Sequence, residues 1–258
     1  MWLANNFKHL SNLSIYYMSS KISLISNKIP ILKMPKFSVD TELDSKLNDY
    51  EITSLMNKSN FTLYLGKAGS GKSSLLISFL QTSALFKKVY HNIFLFMPSN
   101  SRNSIRNGFF DKNLPSEQIY EDVTLENLQS VYDASQEAAK DDLNTLLIFD
   151  DVQKYFKGEN EKLLLHMINN RRHARISIWF ACQTYASIPR QIRQGLTNLF
   201  IFKVNKVEME NIFLECIEQH KKSFLDITNF VYDKTHNFLF LDTNSQRLFK
   251  NWDEIIFQ

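Results

Sequence analysis

An α/β fold, a mainly parallel sheet flanked by helices, is predicted by two observations. From Asn60 onward, short β-rich apolar runs alternate with helix-length amphipathic stretches, the pattern of parallel strands joined by crossover helices. Between the first such strand and the helix after it, residues 66 to 73 read Gly66-Lys67-Ala68-Gly69-Ser70-Gly71-Lys72-Ser73, which satisfies G-x-x-x-x-G-K-[ST] in the strand–loop–helix context the motif demands. The fold class is therefore a P-loop NTPase.

In chain order, the first 39 residues contain no Asp, Glu or Arg and carry Lys8, Lys21, Lys28, Lys33 and Lys36 among Ser, Asn and Ile. A transit peptide would be rich in arginine, so residues 1–45 read as a basic arm or packing extension. Residues 46–205 form the expected ATPase core. Its strands are expected at Phe61–Leu65, Asn92–Met97, Thr145–Asp150, Ile176–Cys182 and Leu199–Val204, with helices near Lys72–Ser83, Thr124–Lys140, Asn160–Arg172 and Ile188–Gly195. After Val204 the alternation fades, and residues 206–258 read as an extension that decorates the sheet. It comprises a helix around Val207–Glu218 and a strand pair, Asn237–Leu241 and Arg247–Trp252, joined by the turn-prone Asp242-Thr243-Asn244-Ser245.

Composition sets limits without naming a partner. Cys182 and Cys216 are too few for a disulfide framework and too far apart for a metal knuckle. The longest apolar runs are strand-length, short of the roughly 20 residues of a membrane span, so no membrane partner is expected. A net charge of +3 does not by itself point to nucleic acid.

The phosphate loop carries the first chemistry. Its glycines let the backbone curl so that N–H groups point at phosphate oxygens, and the helix that follows adds its positive end. The expected nucleotide contacts are Gly66, Lys67, Ala68, Gly69, Ser70, Gly71, Lys72, Ser73 and Ser74. Lys72 can reach the β- and γ-phosphates of ATP, and Ser73 offers a hydroxyl to Mg2+. The second element is Leu146-Leu147-Ile148-Phe149-Asp150-Asp151, an apolar strand ending in two carboxylates, as a Walker B strand does. Asp150 is expected to hold Mg2+ through water, and Asp151 to orient or deprotonate the attacking water.

The strand Ile176–Cys182 ends in Gln183-Thr184, where an amide beside the nucleotide can sense the γ-phosphate or simply bond a neighbouring backbone. Just before it, Asn170-Arg171-Arg172-His173-Ala174-Arg175 places three arginines at a helix end, where cations also serve the helix dipole. From the residues alone both readings stay open. Arg102, Arg106 and Lys112, after the second strand, are candidates for a nucleic-acid contact or a solvated loop.

Taken together, the loop Gly66–Ser73, the segment Leu146–Asp151, the arginine cluster, the strand closed by Gln183 and the run Ile188-Pro189-Arg190-Gln191-Ile192-Arg193 resemble the FtsK/HerA superfamily, and within it the poxvirus-type DNA-packaging ATPases. The resemblance covers about residues 60 to 205. It implies a RecA-like core and a ring-forming motor, a pentamer or hexamer, that hydrolyses ATP to drive double-stranded DNA into a capsid, with a capsid or portal protein as further partner. It also implies a setting inside an infected cell, in the cytoplasm or viral factory, or in the virion. By this resemblance Gln183 is the glutamine that closes the strand after Walker B. Arg172 is the arginine that acts on a neighbouring subunit's nucleotide, with Arg171 and Arg175 as rivals. Asp151 departs from the pattern, because most of the superfamily has Glu there. Other readings of the motifs are another translocase or helicase, a P-loop kinase, which would need an arginine-bearing lid, and a slow nucleotide-binding scaffold.

Overall fold

A computed structural model of the chain describes residues 22–25, 56, 59–82, 85–105, 108–217 and 223–257. The expected N-terminal arm, apart from residues 22–25, and Arg106 lie outside the described residues.

The strands are β1 (Ile22–Ile25), β2 (Phe61–Leu65), β3 (Asn92–Phe96), β4 (Ile119–Tyr120), β5 (Thr145–Asp150), β6 (Ile176–Cys182), β7 (Asn198–Phe202), β8 (Phe238–Asp242), β9 (Arg247–Lys250) and β10 (Asp253–Phe257). They form one ten-stranded sheet in the order β1-β10-β9-β8-β7-β2-β6-β5-β3-β4. Pairing is parallel from β7 through β2, β6, β5 and β3 to β4. It is antiparallel from β7 through β8, β9 and β10 to β1. The helices are α1 (Lys72–Gln81), α2 (Ser99–Asn103), α3 (Phe109–Asn113), α4 (Leu125–Lys140), α5 (Glu159–Asn170), α6 (Arg190–Arg193), α7 (Lys206–Cys216) and α8 (Ser223–Val231).

Strands covered on both faces read as continuous apolar runs. That is why β2, β5, β6 and β7, buried at every position, were visible in the sequence. One face carries a cluster built on Phe61, Leu63, Leu147, Phe149, Ile178 and Phe180 together with α4, α5 and α7. The other carries α1 and a strongly aromatic cluster. Within it, Tyr64, Phe200, Phe240 and Phe249 are successive cross-strand partners on β2, β7, β8 and β9. Their rings follow one another at 5.0, 4.5 and 5.3 Å between centroids. Cross-strand aromatic pairs of this kind each add a fraction of a kcal/mol to about 1 kcal/mol beyond area burial. The ladder, the sheet and both core clusters thus run across residue 205.

Several boundaries differ from expectation. Helix α1 stops at Gln81, because Thr82 turns extended. The helix expected over Ile188–Gly195 shrinks to α6, because Tyr185–Ser187 form a separate 3-10 turn and Pro189 opens the helix after it. Strand β9 ends at Lys250, because Asn251 adopts φ 54 and turns the chain into β10, so that Trp252 lies in a turn. Strand β10 and the short elements β4, α2 and α3 were not anticipated, nor was α8.

Candidate functional site

Strand β6 lies between β2 and β5, and register brings three strand ends to one edge. Leu65 pairs with Cys182, and Asp150 pairs with Ala181. The next residues, Gly66, Gln183 and Asp151, therefore leave the sheet side by side. The Gly66 N–H donates to the Cys182 carbonyl at 3.1 Å, and the Asp151 N–H to the Ala181 carbonyl at 3.0 Å. This is the carboxyl edge of a parallel sheet, where α/β proteins place their ligands.

The phosphate loop needs its glycines for space and for backbone conformation. A Cβ on Gly66 would lie 2.5 Å from Ser70 Oγ and 2.7 Å from Phe202 Cβ, and Gly71 adopts φ 108. Helix α1 emerges from the loop with no side-chain cap and no acid in its first turn, so its leading N–H groups are left for an anion. Lys72 Nζ donates to the Gly66 carbonyl at 2.8 Å and the Lys67 carbonyl at 3.1 Å. Its ammonium is thereby held inside the loop. Ser73 Oγ donates to Asp150 Oδ2 at 3.1 Å.

Asp150 is 4% exposed. Burial, seconded by the neighbouring Asp151, raises its carboxyl from the ordinary 3.8 to about 7, against the opposing pull of Lys72 and the Ser73 hydrogen bond. An acid held this way gains much from a nearby cation. Asp151 adopts φ 56, a left-handed backbone uncommon outside glycine and costing on the order of 1 kcal/mol. Its Oδ2 accepts a long hydrogen bond, 3.5 Å, from Gln183 Nε2, and its buried Oδ1 has no partner. Ser70 Oγ is likewise buried and unpartnered.

These groups surround a cleft of about 290 Å³, lined by Ala68 to Ser74, Asp150, Asp151, Gln183, Ser101, Ser104 and Ile105. Gly66 and Lys67 do not line it, and serve it through the carbonyls that hold Lys72. Free N–H groups, a captive ammonium and the orphaned Ser70 hydroxyl fit a polyphosphate, while the orphaned Asp151 oxygen can accept from a water beside it. A hydroxyl and a carboxylate in contact, completed by phosphate oxygens and water, fit a hard divalent cation such as Mg2+. Ser101, Ser104 and Ile105 were missed in the sequence. Their signal was positional, since they follow β3, which pairs with β5 and ends at the same edge.

The segment that carries Gln183 is pinned from α7. Glu208, 8% exposed, accepts from the Tyr185 N–H at 2.8 Å and the Ala186 N–H at 3.3 Å. Glu215 accepts from the Tyr185 hydroxyl at 2.9 Å and from Arg193 Nε and Nη2 at 3.1 and 2.9 Å. The turn after Gln183 is thus tied to a helix beyond the predicted core.

The arginine cluster stands at the other end of β6. Arg171 donates to the Ser59 and Ile168 carbonyls at 3.0 and 2.8 Å, and Arg175 pairs with Asp142. Arg172 is exposed, and its guanidinium has no partner among the described residues. At about 3.3 Å per residue, seven strand residues separate it from its own cleft by roughly 20 Å. Arg102, considered above for nucleic-acid contact, instead has a side chain only 16% exposed and turns inward to Asp111 at 2.9 Å.

The model of the family described as Poxvirus A32 protein matches residues 48–242. Relatives named DNA packaging protein OPG160, from Monkeypox virus and Vaccinia virus (strain Copenhagen), are each 30% identical over 180 residues, 67% of this chain. That stretch is 57% of the former protein and 64% of the latter, so the chain spans only part of the length of the curated relatives it matches. Among solved structures, the genome packaging NTPase B204 from Sulfolobus turreted icosahedral virus 2 in complex with ATP-gammaS aligns with a TM-score of 0.58 at 18% identity, over 76% of this chain and 98% of that one. The same protein in complex with AMP aligns with a TM-score of 0.56 at 18% identity, over the same shares of the two chains. At that identity the likeness is one of fold.

Proposed function

The chain belongs to the Poxvirus A32 protein family, and from that premise we propose that it is an ATP-hydrolysing motor of the FtsK/HerA type that moves double-stranded viral DNA into a capsid. The observation that carries the reading is the convergence of the phosphate loop, the Ser73–Asp150 pair, Asp151 and Gln183 at one sheet edge. Its relatives' description as DNA packaging proteins supplies the polymer.

ATP is the substrate, with its phosphates on the loop from Gly66 to Ser74. Lys72 exchanges its two backbone carbonyl partners for β- and γ-phosphate oxygens. Ser73 and Asp150 would hold Mg2+, which would supply positive charge against that developing on the phosphates.

Asp151 has a free, buried carboxylate oxygen to orient the attacking water and take its proton. Gln183, bonded to Asp151, couples the state of the γ-phosphate to the turn at Tyr185 and so to α7. Arg172, exposed and too distant to serve its own cleft, is the arginine donated to a neighbour in a homo-oligomeric ring. Arg171 and Arg175 are committed within the chain.

The setting that follows is the infected cell's viral factory or the virion, with a capsid or portal protein as a further partner. Among the described residues no helix is long and apolar enough to cross a membrane. Turnover of ATP with and without linear duplex DNA tests the proposal. Hydrolysis stimulated by DNA is expected; hydrolysis indifferent to DNA removes the motor, and no hydrolysis removes the enzyme.

A further inference from the structure

His236 lies between α8 and β8, outside the parallel half of the sheet, yet its Nδ1 stands 3.1 Å from the Ser70 carbonyl oxygen in the phosphate loop. A carbonyl oxygen only accepts, so Nδ1 carries the proton and donates. The position is built. His236 adopts φ 66, and Asn237 beside it donates to the Val231 carbonyl at 3.1 Å and to Asp233 at 2.7 Å, while accepting from Asn251 at 3.0 Å. Phe202 closes on the loop from the same side.

The Ser70 carbonyl and the Gly71 N–H belong to one trans peptide, so they point in opposite directions. Holding the carbonyl toward His236 aims the Gly71 N–H the other way, toward the cleft that both residues line. That N–H has no acceptor among the described residues. The peptide needs a clamp, because Gly71 at φ 108 has no side chain to resist rotation of this plane. A flip would present a carbonyl oxygen to the phosphates where a donor is required.

We infer that His236 is a positioning residue of the nucleotide site, locking the Ser70–Gly71 peptide in its anion-binding orientation from the C-terminal strands. The inference rests on the nucleotide reading of the loop. It makes anion affinity depend on a residue that no phosphate-loop motif contains.

Two variants separate the hydrogen bond from the backbone. His236→Gly relieves the left-handed conformation and removes the donor. His236→Asn tolerates that conformation and keeps a donor, since an Asn amide nitrogen superposes on Nδ1. Calorimetric titration with ADP and with a non-hydrolysable ATP analogue reads affinity, and thermal unfolding without nucleotide reads the fold. Losing one charge-assisted N–H contact weakens binding by roughly tenfold. His236→Gly is expected to show that loss with its unfolding temperature kept, and His236→Asn to bind within about twofold of wild type. Equal, wild-type affinity in both variants overturns the clamp. Equal loss in both, tracking a lowered unfolding temperature, overturns it in favour of a merely structural turn. Failure of the wild-type protein to bind either nucleotide sinks the nucleotide reading itself.

Discussion

Asp150→Asn should abolish hydrolysis and, without metal, make the protein more stable. The buried carboxyl of Asp150 is raised from 3.8 to about 7, chiefly by desolvation and then by Asp151. A group whose folded pKa lies above its unfolded value binds more protons folded than unfolded, so its contribution falls as pH rises from about 4 to 7 and stays low above that. A rise of about three pH units corresponds to a ceiling of roughly 4 kcal/mol. The amide carries no charge to desolvate and keeps an oxygen for the Ser73 hydroxyl. In a chelator at pH 8, the variant should therefore unfold above the wild type, by about 2–4 °C for each kcal/mol relieved in a chain of this size. The gap should close near pH 4, where both side chains are neutral. Added Mg2+ with an ATP analogue should reverse the order, stabilising the wild type alone. Thermal unfolding of both proteins at pH 4, 6 and 8, with and without Mg2+ and nucleotide, reads all of this. A variant less stable than wild type at pH 8 without metal would refute the claim that burial strains this carboxylate.

Asp151→Asn should bind ATP with near-wild-type affinity and turn it over at least 10²-fold more slowly, because the amide cannot accept the water's proton; filter-retained ATP against released phosphate measures the split. Glu208→Ala should lower kcat more than it changes KM, since it frees the turn after Gln183, and should add nothing in a Gln183→Ala background. Additive effects in that double-mutant cycle would make Glu208 structural only. Arg172→Ala should bind ATP yet fail to hydrolyse it as a pure population, and mixing it with Lys72→Ala subunits should restore part of the activity. Mixtures that stay inactive, with complementation by Arg171→Ala or Arg175→Ala instead, would place the donated arginine elsewhere.

Much of this site was legible because its parts are local in sequence. A phosphate loop must be contiguous, since successive backbone N–H groups do the binding, and Lys72 and Ser73 follow at fixed offsets. Strands β2, β5, β6 and β7 announced themselves through unbroken burial. What stayed hidden depends on pairing between distant segments. Ser101 and Ser104 enter the cleft only because β3 pairs with β5, a neighbour relation that no local pattern states. Glu208 and His236 are single polar residues in unremarkable surroundings, given a role by a turn and a loop some 23 and 166 residues away in the chain. Arg102 misled for the converse reason, since it looks solvated until Asp111 folds over it.

The same geometry says why the antiparallel strands matter to a site made almost wholly of parallel ones. The phosphate loop and Gln183 follow adjacent strands, β2 and β6, but each is braced by a separate piece of the chain after β7. His236 holds the loop, and Glu208 with Glu215 holds the turn after Gln183. The aromatic ladder from Tyr64 to Phe249 makes β8 and β9 one body with β2, so the brace at His236 moves with the loop. Helix α7 buries Met209, Ile212 and Phe213 in the core and leaves Val207 and Leu214 65% and 62% exposed. One brace stands just before β8, while the other rides on a helix that packs on the core and exposes Val207 and Leu214. Under the motor reading proposed above, the phosphate loop and Gln183 answer to different braces, so His236→Gly should act on nucleotide affinity and Glu208→Ala on turnover.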